Sequence, residues 1–152
     1  MKKAGIAILA LGLAISFCGL SMAAEKAKGM AGMSDAAKAQ LVDQTKQALN
    51  SREWEVYMLI PAGKKTVTEP DVFTFANGKV SSRNLTAQGY KESNVNVGLQ
   101  DDGTPVWETM QVDANNNIAF IRAEVSGSNM KGVISKQPVK GAKTTMHFTT
   151  SP

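Results

Sequence analysis

A chain of 152 residues with 43% hydrophobic and 20% charged residues has the apolar content for one core, which excludes a disordered chain. One cysteine and one histidine exclude a disulfide framework and a cysteine-ligated zinc site, and they leave hydrolase and metalloenzyme chemistry short of parts. The formal charge is +4 and falls to +2 if Lys2 and Lys3 leave with a leader, so net charge is weak evidence for a nucleic-acid or an anionic-membrane partner, and no nucleic acid is expected.

The start, MKKAGIAILALGLAISFCGLSMAAEK, places two lysines before an apolar run and then small residues, the order of a secretory signal peptide over residues 1–23. Ser21-Met22-Ala23 fits the small-x-small rule, so cleavage after Ala23 is expected. The competing transmembrane reading is weakened by the Ala and Gly content of the run and by the cleavage-like site that ends it. Acylation of Cys18 is disfavoured because Phe17 puts a bulky ring where a lipobox needs a small residue. The expectation is an exported protein, periplasmic or extracellular, with no stable membrane anchor and no thiol after cleavage.

Residues 24–33, AEKAKGMAGM, read as a flexible linker, and residues 34–50 as a helix with Ser34 as N-cap and Asp35 at its positive end. Ala37, Leu41, Val42, Thr45, Ala48 and Leu49 recur at helical spacing and form a narrow stripe suited to packing on the chain's own domain.

From Trp54 the period changes to two, with turn signals every eight to twelve residues. The predicted strands are WEVYMLI, DVFTFA, KVSSRNL, NVNVGLQ, PVWETMQV, IAFIRAEV, MKGVISKQ and TTMHFTTS. Two-residue turns are expected at Asn77-Gly78, Asp102-Gly103 and Gly127-Ser128, with a further turn at Asn115-Asn116-Asn117. These turns set register. The first pairs Phe75 with Val80 and Phe73 with Ser82. The second sets Val97 opposite Glu108 and Val95 opposite Met110. The third pairs Val125 with Met130 and, on the far face, Glu124 with Lys131. On that register Glu108 points inward among Val97, Val106 and Met110, while Trp107 points outward over Gly98.

The predicted fold is all-β plus one N-terminal helix: an antiparallel, eight-stranded up-and-down meander closed as a barrel over residues 53–151. Its longest link, PAGKKTVTEP, is placed to cover a barrel mouth. In this outline, an early Trp followed by a short meander, the chain resembles the calycin superfamily of lipocalin-like barrels. Lipocalins carry a Gly-x-Trp opening and a late Arg that packs on that Trp; here the opening reads Arg52-Glu53-Trp54 and the last strand has no Arg. The chain is also similar to short secreted bacterial proteins of unknown function with Trp-Glu-Thr-Met-Gln and Lys-Gly-Val-Ile-Ser-Lys-Gln segments.

An inward Glu108 is the sharpest candidate site, because an unpaired carboxylate in an apolar barrel costs several kcal/mol in desolvation. Trp54, Phe73, Ser82 and Met110 would line the same interior. His147 alternates against Met146 and Phe148 and faces solvent. Met30, Met33, Met58, Met110, Met130 and Met146 invite a thioether copper(I) reading, but inner parity in the barrel favours core packing. The expected function is non-enzymatic binding of a small, largely apolar molecule, with no metal or cofactor. The alternative is a structural or protein-interaction domain whose barrel is filled by its own side chains. An eight-stranded barrel lies at the size where either outcome is open.

Overall fold

A computed structural model describes residues 32–151. The expected leader, its cleavage site, Cys18, Met30 and nearly all of the linker lie outside the described residues. Helix α1 spans Asp35–Asn50, with Ala37 N donating to the Ser34 side chain at the N-cap. Its stripe packs on its own domain: Leu49 is in the core and Val42 lies against it.

The rest is one antiparallel sheet of nine strands, nearly closed into a barrel. The strands are β1 (Trp54–Ala62), β2 (Lys65–Ala76), β3 (Lys79–Ser82), β4 (Ser93–Asn94), β5 (Asn96–Leu99), β6 (Pro105–Val112), β7 (Ile118–Ser126), β8 (Asn129–Gln137) and β9 (Thr144–Thr149). A short helix, α2 (Arg83–Ala87), follows β3. The order β4-β3-β2-β1-β9-β8-β7-β6-β5 sets the first strand beside the last, and the two sheet ends are β4 and β5. That seam is bridged largely by side chains. Thr109 Oγ1 donates to Asn94 O at 2.8 Å, Gln111 Nε2 donates to Val80 O at 2.9 Å, and Lys91 N donates to Val112 O at 3.2 Å.

Nine strands replace the expected eight because NVNVGLQ divides: Val95 N donates to Gly78 O, β4 stays on β3, and β5 crosses to β6. KVSSRNL is not one strand either. Ser82 ends β3 and caps α2 by accepting from Leu85 N, so Arg83-Asn84-Leu85 turns into helix. The link PAGKKTVTEP proves to be strand on both sides of a Gly63-Lys64 turn, with Ala62 paired to Lys65. It forms an arm, every residue from Pro61 to Pro70 being exposed. β1 keeps β9 company only from Tyr57 to Leu59, so the arm continues past the barrel wall.

Turn chemistry explains which registers hold. Asn77 and Gly78 take φ of 53° and 75°, the pattern of a type I′ turn, and Phe73 pairs with Ser82 as expected. Gly127 at φ 58° opens the other two-residue turn; Val125 pairs with Met130, and Lys131 Nζ reaches Glu124 Oε2 at 3.0 Å. The Asp102-Gly103 turn holds three residues rather than two. Gln100 N donates to Thr104 O, Gly103 takes the left-handed position at φ 84°, and Leu99 pairs with Pro105. One residue of difference reverses every side chain of β6.

Candidate functional site

β6 therefore presents Trp107, Thr109 and Gln111 to the interior, and Glu108 and Met110 to the outside. Glu108 is not an interior carboxylate. It pairs with Arg122, its cross-strand neighbour on β7. Met110 is 54% exposed and faces Phe120. Trp107 does not shield Gly98; it is fully buried between Phe73 and Phe75, with edge-on ring contacts at 5.6 and 5.0 Å. Trp54, Phe73 and Ser82 are interior as expected, and Phe73 also meets Phe148 edge-on at 5.0 Å. Trp54 Nε1 donates to Leu49 O, which fastens α1 over one end of the barrel. Met58 and Met130 are core residues and His147 is exposed.

The interior does hold a buried carboxylate, but it is Asp71, at the start of the predicted strand DVFTFA. Its Oδ1 accepts from Val72 N at 2.7 Å and Asn84 N at 3.0 Å, and its Oδ2 from Ser82 Oγ at 2.6 Å. Three donors satisfy a charge that would otherwise be costly to bury. The same contacts hold α2 across the barrel end opposite α1, where Asn84 Nδ2 also donates to Pro70 O at 3.1 Å. Sequence reading missed this group because its donors stand eleven and thirteen positions away, on a segment read as strand.

Beside α2 a cavity of about 140 Å³ remains in the barrel mouth, lined by Met58, Ile134 and Met146 and, among polar residues, by the buried Asp71 with Gln88 and Lys136. Lys136 Nζ donates to Gln88 Oε1 at 2.6 Å. Burial holds the Lys136 ammonium below the ordinary lysine range, and the Asp71 carboxylate opposes that shift. A larger depression, about 500 Å³, lies on the outer wall over Gly132, between Leu59, Arg122, Lys131 and His147. It is a shallow surface feature and not part of the lumen. Trp107 Nε1 and Gln111 Oε1 are buried without a partner among the described residues. No group of three or more His, Cys, Asp and Glu side chains suited to a metal occurs among the described residues.

No family model, no curated protein and no solved structure matches the chain.

Proposed function

We propose that this is an exported, non-enzymatic domain that acts through its surface, as a structural or interaction module with a self-filled barrel. The observation that carries this reading is the packing of the lumen. Trp54, Trp107, Phe73 and Phe148 are each at most 2% exposed, and Phe73 meets both Trp107 and Phe148 edge to face, in the interior where a lipocalin-like carrier would hold its ligand. The scattered exposed carboxylates and the single outward His147 support a role without catalysis.

Export rests on the order of charge, apolar run and small residues at the start of the chain. Calycin-like kinship is a finer proposal. Arg52 lies 4.0 Å from the centre of the Trp54 ring, so a cation covers the early Trp although the last strand supplies none.

The mouth cavity favours one second reading. At about 140 Å³ it approaches the volume of apolar cavities that admit a benzene-sized molecule, with the polar rim at Lys136 to orient one group. Native mass spectrometry of protein recovered from its producing cell tests both readings. The bare chain mass is expected; a retained apolar molecule larger than one ring would overturn the filled-barrel reading.

A further inference from the structure

We propose that the α2 end of the barrel docks on an anionic lipid surface. This inference rests on the surface-acting reading and names its partner.

Two independent kinds of side chain are segregated to that end. The first is cationic. Lys64 and Lys65 stand at the tip of the β1–β2 arm, Arg83 opens α2, Lys91 leads back from it, and Lys140 and Lys143 lie on the β8–β9 loop; all six are exposed. None of them makes an ion pair with another of the described residues. The five ion pairs among the described residues lie on α1, on the outer wall or toward the opposite end. Acids at the α2 end are fewer than the cations. Asp71 is interior, and the two nearer the surface are Glu69 and Asp113, the latter still charged within its hydrogen bonds from Asn115 and Asn117. Net charge is small because the other half is acidic, so the molecule is polarised rather than neutral.

The second kind is apolar. Among the described residues the exposed large hydrophobic side chains are Val67, Met110, Phe120 and Val139, at 46%, 54%, 37% and 63%, and all four lie in this same half. Val67 is on the arm. Met110 and Phe120 face each other across β6 and β7, and the next pair toward the α2 end is Val112 with Ile118. Val139 is held beside them, its N–H donating to Asn117 Oδ1 at 2.9 Å.

Lipid fits this combination better than protein. Five of the six cations are lysines, compact charges on flexible stems, whereas protein interfaces are enriched in Arg and aromatic anchors and depleted in Lys. The groups stand on separate loops and an arm and do not line a pocket. Such a surface can rest on headgroups, with valine, methionine and phenylalanine entering the boundary beneath them.

Flotation with phosphatidylcholine vesicles, with and without about one-third phosphatidylglycerol, tests this at about 0.1 M salt, using protein recovered from its producing cell. The protein should float with the anionic vesicles only and be released at about 1 M salt. Reversing four charges, Lys64→Glu and Lys65→Glu with Lys140→Glu and Lys143→Glu, should weaken binding at least about tenfold, since each cation near the surface is worth roughly fivefold. Val139→Asp, a single change on an exposed loop, should weaken it in a chain whose melting is unaltered, and Lys38→Glu with Lys46→Glu on α1 should leave it unchanged. Flotation with neutral vesicles alone, indifference to the changes at the α2 end, or retention on polyglutamate without any vesicle binding would overturn the proposal, the last by making an acidic polypeptide the partner. None of these outcomes alters the ligand content of the barrel, so the filled-barrel reading stands or falls separately.

Discussion

Ser82 Oγ donates to Asp71 Oδ2 at 2.6 Å inside the barrel while accepting from Leu85 N at 3.0 Å, so one hydroxyl joins β3 to β2 and starts α2. Removing it strands two buried groups at once. Ser82→Ala should therefore cost about 2–3 kcal/mol, more than an ordinary cap, because a carboxylate oxygen loses its donor. Denaturant midpoints measure this; a loss of a few tenths of a kcal/mol would mean that water replaces the hydroxyl.

The register of β6 makes opposite predictions for adjacent residues. Trp107→Ala empties the ring cluster with Phe73 and Phe75 and should cost about 3–5 kcal/mol. Glu108→Leu removes a half-exposed pair with Arg122 and should change stability by less than about 1 kcal/mol. Thermal melts of the two variants distinguish this register from its one-residue alternative, which reverses the ranking.

Two strand glycines differ in the same way. A methyl group on Gly132 would overlap the Arg122 carbonyl and come within 2.7 Å of Ala123 Cβ, so Gly132→Ala should cost about 1–3 kcal/mol. At Gly98 nothing lies within 4 Å of the added carbon, and Gly98→Ala should be neutral or slightly stabilising. Equal midpoints for the two would show that β7 and β8 are farther apart than described.

Acid sensitivity should centre partly on the β6–β7 loop. The side-chain amide of Asn117, followed by the N–H groups of Asn117 and Asn115, outweighs burial and holds the Asp113 carboxyl below its ordinary range. A carboxyl lowered on folding contributes stability above its unfolded pKa and loses it as pH falls through the folded value. Asp113→Asn should therefore flatten the decline in stability from about pH 4 downward. Melting temperature against pH for parent and variant gives the comparison, and parallel curves would remove Asp113 from the account.

How much of this was legible follows from where the determining contacts lie. Asn77-Gly78 and Gly127-Ser128 specify their own turns, so Phe73 opposite Ser82 and Val125 opposite Met130 could be read directly. Asp102-Gly103 belongs equally well to a two- or a three-residue turn. The choice depends on Gln100 and Thr104 closing around it, and with it went the placement of Glu108, Met110 and Trp107. Asp71 was hidden by distance, since its partners come from beyond the next turn. The charge polarity was hidden for a related reason: Lys64, Lys91 and Lys140 are scattered along the chain, and only the topology brings them to one end.

The pairing of β1 with β9, in which Tyr57 meets Thr149, has a kinetic meaning. Hairpins such as β7–β8 close over short loops and can form early, but closing the barrel joins residues from nearly opposite ends of the folded segment, which is slow because chain entropy must be lost before the contact repays it. Until β9 is present, β1 and β8 are both raw edges, and the arm beyond Leu59 has nothing to stand on. A chain emerging from its N-terminus therefore cannot join β1 to β9 until position 149 has been synthesised, however early its hairpins form.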